Sequence, residues 1–180
     1  MGRIPGTTLE VFPLCLGGNV FGWTADERQS FEVLDAYLAA GGNFIDTADV
    51  YSAWVPGHTG GESETIVGRW MAKAGARNQM IVATKVGMSP GLKGLSPRTI
   101  RTAAEASLRR LGIDRIDIYY AHADDPETPL ADSLRAFDAL VDSVERNIPM
   151  PPSQCIARSG HISATPAASQ LGHCANLFVP

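Results

Sequence analysis

The stretch Met80-Ile-Val-Ala-Thr-Lys85 decides the fold class, because it is a short apolar run that ends in a charged residue. Two similar runs, Asn43–Asp46 and Ile116–Ala121, lie before and after it in the chain. Each run has the length and composition of a buried strand, and each is followed, after a polar loop, by an amphipathic helical stretch. This alternation predicts parallel strands covered by helices.

Four helices are predicted from apolar residues with helical spacing. The first begins at Thr24, which fits a capping box with Glu27, and ends at the pair Gly41-Gly42. The third begins at Ser96-Pro97, where serine caps the helix and proline occupies its first position. The predicted buried residues are Phe31, Leu34 and Leu38 in the first helix, Ile66, Val67, Trp70 and Met71 in the second, Ile100, Ala104, Leu108 and Leu111 in the third, and Leu130, Leu134, Phe137 and Val141 in the fourth.

The spacing of the strand ends indicates how many strand–helix units the chain contains. Asp46 lies 39 residues before Lys85, and Lys85 lies 37 residues before His122. A further strand at Pro13–Gly17, preceded by a short hairpin, brings the number of units to about four. A closed (β/α)8 TIM barrel needs eight such units, so the predicted fold class is α/β, a partial barrel of this kind.

Residues 142–180 differ in composition from the rest of the chain. Five prolines fall there, and neither a helical nor an alternating apolar period is sustained. The predicted division is therefore residues 1–141, half of a barrel, and residues 142–180, an irregular tail rich in Pro, Ser and Ala. Truncation and a shifted reading frame would both produce such a tail, and the sequence leaves both origins open.

The bulk composition argues against several classes of function. The 180 residues are 44% hydrophobic with a net charge of −4, which favours a globular protein without a nucleic acid or an anionic membrane surface as partner. No apolar stretch reaches the roughly 20 residues that span a bilayer, and the N-terminus lacks the apolar segment of a secretory signal. Cys15, Cys155 and Cys174 form no paired framework, so a reducing cytoplasm is the expected compartment.

Four polar residues closely follow the predicted strands. Asp46 and Tyr51 come after the first of the three runs, Lys85 ends the second, and His122 follows the third. Because the carboxyl ends of the strands meet at one rim of a barrel, we expect these side chains to converge on a single site. A phenol, an ammonium, a carboxylate and an imidazole gathered there suit proton donation to a carbonyl oxygen.

Reduction of an aldehyde or ketone needs a hydride at carbon and a proton at oxygen. Tyr51 is the expected proton donor, with an ordinary pKa of about 10 that a neighbouring Lys85 cation lowers. Asp46 is expected to pair with Lys85, and a neutral His122 to hydrogen-bond and orient the carbonyl oxygen. None of these side chains carries a hydride, so a nicotinamide cofactor must supply it.

Each of these residues also has a structural interpretation. Taken alone, Tyr51 is typical of packing, Lys85 of a solvated charge and Asp46 of a turn cap, and a histidine after an apolar run is commonly structural. Because all four residues are expected at the same rim, a joint site is favoured over these separate structural interpretations. Glu62 and Glu64, by contrast, are interpreted as charges at the start of a helix.

Five motifs resemble the signature of the aldo-keto reductase family, in its bacterial and potassium-channel-β-like branch. They are Asn43-Phe-Ile-Asp-Thr-Ala-Asp-Val-Tyr51, Gly61-Glu-Ser-Glu64, Ala83-Thr-Lys-Val-Gly87, Ser107-Leu-Arg-Arg-Leu-Gly-Ile-Asp-Arg-Ile-Asp117 and Tyr120-Ala-His-Ala-Asp124. The resemblance runs from about Gly6 to Val141. It implies NADPH-dependent reduction of aldehydes and ketones to alcohols, without a metal, by a tetrad that falls on Asp46, Tyr51, Lys85 and His122.

The resemblance also implies what surrounds the tetrad. Gly18 and Asn19 align with a loop at the nicotinamide end of the site, and Asp46 approaches the nicotinamide ribose in relatives. Trp23 and Trp54 are the expected walls of the substrate pocket, although packing explains an aromatic residue there equally well. In the family, most residues that hold the dinucleotide belong to units five to eight, and residues 145–180 show no counterpart of them.

Two classes of function stay open. One is an oxidoreductase acting on a small carbonyl substrate, either inactive alone because the chain looks truncated or made competent by self-association through open barrel edges. The other is a non-catalytic binding protein or a reductase remnant that lacks the cofactor half. A half-barrel for a phosphorylated ligand is less well supported, since no phosphate-binding motif occurs. The cysteines and histidines of residues 155–174 fit no common zinc spacing, so no metal is expected.

Overall fold

The computed structural model describes residues 1–145 and 154–155. The strands are β1 (Gly2–Arg3), β2 (Glu10–Val11), β3 (Leu16–Gly17), β4 (Phe44–Asp46), β5 (Ile81–Val86), β6 (Met88–Ser89), β7 (Leu92–Lys93), β8 (Arg115–Ile116), β9 (Ile118–Ala121) and β10 (Gln154–Cys155). The helices are α1 (Glu27–Ala39), α2 (Glu62–Ala74), α3 (Pro97–Leu111) and α4 (Leu130–Glu145), with a short 3-10 helix at Arg77–Gln79.

Four parallel strands form the main sheet in the order β3-β4-β5-β9. The register places Asp46 opposite Ala83 and Lys85 opposite Tyr120. A helix follows each of these strands along the chain, which confirms the predicted fold class of a partial (β/α)8 barrel. The first strand is shorter than expected, since only Leu16–Gly17 of the predicted Pro13–Gly17 pairs with β4.

Successive strand residues alternate between the two faces of the sheet, and each face has its own cover. On the helix side, Val82 packs with Leu34 of α1 and Trp70 of α2, while Tyr119 packs with Phe137 of α4. On the interior side, the antiparallel hairpin of β1 and β2 lies against the beginnings of the strands. The hairpin therefore covers the amino end of the interior and leaves the carboxyl ends of the strands for the polar side chains.

The helix boundaries confirm one predicted cap and correct another. The Ser96 side chain accepts a hydrogen bond from the Thr99 backbone N–H, as expected for the cap of α3. The prediction that α1 begins at Thr24 is wrong. Its cap is Asp26, which accepts from the Gln29 backbone N–H, while the Gln29 side chain accepts from the Asp26 backbone. Thr24 and Asp26 are both common capping residues two positions apart, and the glutamine three residues after Asp26 completes that box.

Burial of the helices follows the predicted pattern most closely in the middle of the chain. All eight residues predicted to be buried in α2 and α3 are buried. In α1, Leu34 is buried, while Phe31 and Leu38 are partly buried. The prediction that Leu130 is buried at the start of α4 is wrong, because its side chain is 58% exposed and the buried positions begin further along the helix.

The predicted boundary at residue 142 falls within α4, which continues to Glu145. Gln154–Cys155 pairs in parallel with Arg115–Ile116. Residues 146–153 and 156–180 lie outside the described residues, so the irregular tail and the division of the chain remain predictions. In the part of the chain that the structure describes, no helix is long and apolar enough to cross a membrane.

Candidate active site

Lys85 occupies the centre of a polar cluster at the carboxyl ends of β4, β5 and β9. Its side chain is only 3% exposed. The ammonium nitrogen donates hydrogen bonds to Asp46 Oδ2 at 2.6 Å, to the Thr47 carbonyl oxygen at 2.8 Å and to Tyr51 Oη at 2.7 Å. An ammonium group has three hydrogens, so three acceptors in these directions fix the position of the nitrogen.

Asp46 also binds both neighbouring phenols. The Tyr51 hydroxyl donates to Asp46 Oδ2 at 3.3 Å, and the Tyr120 hydroxyl donates to Asp46 Oδ1. Burial, and then the negative charge of Asp46, raise the pKa of Tyr120, so its hydroxyl stays protonated and remains a donor. Tyr120 was not among the predicted site residues. The sequence did carry a signal, since Tyr120 lies two residues before His122 and side chains two apart in a strand share a face.

The segment that leads from β4 to Tyr51 is fixed by hydrogen bonds on both sides. The Thr47 backbone N–H donates to the Ala83 carbonyl oxygen at 2.9 Å. Immediately after Tyr51, Ser52 has a φ of 70°, which is uncommon for a residue other than glycine. The buried Ser52 hydroxyl donates to the Phe21 carbonyl oxygen at 2.9 Å. This hydrogen bond stabilises the positive φ of Ser52, and it thereby helps to fix the direction in which the neighbouring Tyr51 side chain points.

His122 places its imidazole beside Tyr51. The two ring centroids are 5.9 Å apart and the planes are inclined by 79°. His122 Nδ1 is buried and has no hydrogen-bond partner among the described residues. Burial lowers the pKa of His122 from its ordinary 6.5, and the positive charge of Lys85 lowers it further. The ring is therefore neutral at pH 7.

Two tryptophans extend the aromatic surface outward from the cluster. The Trp54 ring lies 6.3 Å from Tyr51 between centroids, and the Trp23 ring lies 5.5 Å from Trp54. Both are about half exposed, at 50% for Trp23 and 49% for Trp54. An apolar group at the rim would therefore find aromatic faces in reach, which is the position expected of substrate-pocket walls.

The loop after β3 contacts the end of β4 directly. The Gly18 N–H donates to the Asp46 carbonyl oxygen at 2.8 Å, and the Ser63 hydroxyl donates to the Gly18 carbonyl oxygen at 2.7 Å. A Cβ atom at Gly18 would lie 2.8 Å from Ser63 Oγ, so this close approach requires glycine. The exposed Asn19 follows at the edge of the cluster.

The structure thus brings together all four side chains of the predicted tetrad. A carbonyl oxygen between Tyr51 and His122 would meet a phenol bound to an ammonium on one side and a neutral imidazole on the other. Within the described residues, no group of three or more His, Cys, Asp or Glu side chains is arranged to hold a metal ion. This geometry suits proton donation to a carbonyl or its reverse.

Comparison with known proteins identifies the family. The sequence model of the aldo/keto reductase family matches residues 13–144. The chain belongs to this family. The match covers every described element that contributes to the cluster around Lys85.

Named relatives of this aldo/keto reductase chain differ greatly in length. An uncharacterized 11.2 kDa protein in the crtE 3' region of Pseudescherichia vulneris is 59% identical over 100 residues, which are 54% of this chain and 97% of that protein. The uncharacterized oxidoreductase YrpG of Bacillus subtilis is 39% identical over 146 residues, 76% of this chain and 44% of YrpG. The aryl-alcohol dehydrogenase GME11368 of Pestalotiopsis microspora is 34% identical over 154 residues, 77% of this chain and 38% of that enzyme. The chain therefore spans about four tenths of the length of the two relatives named as enzymes.

Proposed function

We propose that the chain carries the proton-transfer site of an NADPH-dependent reductase of aldehydes and ketones. The observation that supports this most strongly is the 2.7 Å hydrogen bond from the Lys85 ammonium to the Tyr51 oxygen. A cation in direct contact with a phenol stabilises the phenolate that remains when the proton is given away. Tyr51 is accordingly the acid in reduction and the base in the reverse reaction.

The other residues of the tetrad support Tyr51 in this role. Asp46 and the Thr47 carbonyl oxygen hold the Lys85 nitrogen against the phenol, so no rearrangement is needed when the proton leaves. The neutral His122 ring lies beside Tyr51, with 5.9 Å between the ring centroids, and in this proposal it orients the carbonyl oxygen toward Tyr51. Tyr120 holds Asp46 from the opposite side.

The nicotinamide end of a dinucleotide fits the residues at the rim. Gly18 lies against the end of β4 with the exposed Asn19 next to it in the chain, and the Asp46 side chain is 22% exposed, so a ribose hydroxyl has a carboxylate in reach. When bound, the cofactor supplies the hydride that no side chain here can supply. The preference for NADPH rests on the family resemblance, and residues 145–180 show no counterpart of the residues that hold the rest of the cofactor in the family.

The proposed substrate is a small carbonyl compound with an aromatic or apolar group. Trp54 and Trp23 offer ring faces for that group next to Tyr51. One relative is named an aryl-alcohol dehydrogenase, which supports an aromatic ring beside the carbonyl. We propose a reducing cytoplasm as the compartment, on the sequence evidence alone.

A second candidate is a non-catalytic remnant that keeps the rim but does not bind the cofactor. The observation in its favour is that the matched residues cover only 38% and 44% of the two relatives named as enzymes. Within the described residues β3 and β9 end the main sheet, and association of two copies through these edges would supply further strands. Sedimentation measurements on the full chain distinguish a self-associated form from a monomer.

One experiment separates the two candidates. NADPH is titrated into the full chain while nicotinamide fluorescence is followed, and its oxidation is then measured with an aromatic aldehyde. The enzyme hypothesis predicts saturable binding and turnover that Tyr51→Phe lowers by about 100-fold or more without weakening NADPH binding. Tyr119→Phe is the matched control, because the Tyr119 hydroxyl faces Ile100 of α3 and not the rim. Absence of binding at millimolar NADPH would favour the remnant.

A further inference from the structure

Asp49 is a buried carboxyl group that the proposed reaction does not use. It lies between β4 and Tyr51 and is only 2% exposed. Neither of its carboxyl oxygens has a hydrogen-bond partner among the described residues. Buried carboxylates are nearly always paired, because removal of an ionised group from water without compensation is costly. Asp49 is therefore an exception that needs a physical explanation.

The nearest charged groups are already engaged with another carboxylate. Glu64 of α2 is fully buried, and it accepts hydrogen bonds from Thr84 Oγ1 and from Arg110 Nε, each at 2.6 Å. One guanidinium from α3 therefore faces two carboxyl groups and bonds to one of them. An ionised Asp49 would add a second negative charge beside Glu64 without a hydrogen bond of its own.

The backbone around Asp49 leaves little room for adjustment. Its N–H donates to the Lys85 carbonyl oxygen at 3.3 Å. Its own carbonyl oxygen would lie 2.8 Å from a Cβ atom at Gly60, so the chain at residue 60 packs directly on it. The segment that carries Tyr51 is thus enclosed between β5 and the loop before α2.

We propose that Asp49 is a positioning residue for Tyr51: its uncharged carboxyl group lets residues 47–51 lie against Glu64 and Arg110, and its ionisation loosens that segment. The inference rests on the proposed function insofar as Tyr51 is the proton donor. Loosening of the segment weakens the hydrogen bond between Tyr51 and Lys85. The site therefore depends on pH through the ionisation of Asp49, and not only through that of Tyr51 or Lys85.

The direction of this pH dependence follows from the groups that face Asp49. Burial raises the pKa of Asp49 from 3.8 to about 7, and the negative charge of Glu64 acts in the same direction, while Arg110, the neighbouring Val50 backbone N–H and Lys85 lower it. A carboxyl group whose pKa is raised on folding destabilises the folded segment as pH rises from its ordinary pKa to the raised one. We therefore expect the closed segment to be most stable below about pH 4, to lose stability as pH rises from 4 to about 7, and to keep the lower stability above pH 7.

The test follows the carboxyl carbons of the aspartates and the backbone amides of residues 50–52 by NMR between pH 4 and 9. In the unmodified chain, one aspartate should titrate near pH 7, and the amide signal of Tyr51 should shift with the same midpoint. Asp49→Asn, which mimics the uncharged carboxyl group in shape, should abolish both transitions. Asp114→Asn is the matched control, since Asp114 is exposed in the turn after α3 and its substitution should leave both transitions in place.

Two outcomes would overturn the proposal: titration of Asp49 near pH 4, or a transition of the Tyr51 amide near pH 7 that persists in Asp49→Asn. The second result would assign the transition to another group, such as a histidine. If Asp49→Asn failed to fold, the carboxyl titration of the unmodified chain would still decide. None of these readouts needs cofactor or turnover, so a failure of the proposed enzyme activity is recognised separately.

Discussion

Thr84 and Lys85 are neighbours in β5, yet their side chains serve two buried charge clusters on opposite faces of the sheet. The rim cluster consists of Asp46, Tyr51, Lys85 and Tyr120 on the interior side. The helix-side cluster consists of Asp49, Glu64, Thr84 and Arg110, between the sheet and helices α2 and α3. Because successive side chains of a strand point to opposite faces of the sheet, the neighbouring residues Thr84 and Lys85 belong to different clusters.

The two clusters differ in how their charges are balanced and in their access to solvent. In the rim cluster one ammonium faces one carboxylate, and the Asp46 side chain is 22% exposed, so a ligand can reach it. In the helix-side cluster one guanidinium serves two carboxyl groups, and the exposed partner is the cation instead, at 28% for the Arg110 side chain against 0% for Glu64. A ligand can therefore reach the carboxylate of the rim cluster, while the Glu64 carboxylate of the helix-side cluster is out of its reach and joins α2 to the sheet and to α3.

The largest effect is expected where a fully buried charge loses its partner. Arg110→Met leaves the Glu64 carboxylate with Thr84 as its remaining hydrogen-bond donor and no cation in contact. We expect the free energy of unfolding to fall by about 3–5 kcal/mol, the cost typical of a broken buried ion pair. Urea denaturation at pH 7 measures it.

The matched control for this prediction is an exposed pair. Arg69 donates to Glu27 at 2.7 Å, with side chains 65% and 48% exposed. Arg69→Met should cost roughly 0–1 kcal/mol, because solvent screens such a pair. Equal losses of unfolding free energy in Arg69→Met and Arg110→Met would show that solvent screens the pair of Arg110 and Glu64 as well.

A smaller loss of stability is expected when the rim cluster loses its cation. Lys85→Met leaves Asp46 partly exposed and still bound by the hydroxyls of Tyr51 and Tyr120. We expect the free energy of unfolding to fall by about 1–3 kcal/mol, as for a buried polar group that keeps some of its partners. The same urea titration checks it, and a loss as large as that of Arg110→Met would contradict the difference in solvent access.

Much of the candidate active site could be predicted from the sequence, because Asp46, Lys85 and His122 each have a visible signal. Lys85 ends an apolar run, and Asp46 and His122 directly follow apolar runs at a regular spacing. The convergence of such strand ends follows from the topology of parallel strands. Tyr120 was missed because an aromatic residue inside an apolar run is usually interpreted as packing, although its spacing from His122 places both on one face.

The helix-side cluster could not be predicted in the same way. Glu64 was interpreted as a charge at the start of a helix, and it does lie in the first turn of α2. Its burial depends on how α2 and α3 pack together, which brings Arg110 to it from 46 residues away. No local pattern encodes that distance. The position of Asp49 depends on the same packing.

The smallest predicted effect concerns the hydrogen bond from Ser52 to Phe21, which supports the backbone next to Tyr51. Ser52→Ala removes the hydrogen bond to the buried Phe21 carbonyl oxygen and keeps a side chain at a φ of 70°. Ser52→Gly removes the same hydrogen bond but relieves the backbone, since glycine adopts positive φ without steric cost. We therefore expect Ser52→Gly to be more stable than Ser52→Ala by about 1 kcal/mol, the approximate cost of this backbone region for a residue with a Cβ atom. Thermal unfolding of the two variants side by side measures the difference, and a more stable alanine variant would show that the segment next to Tyr51 is not strained.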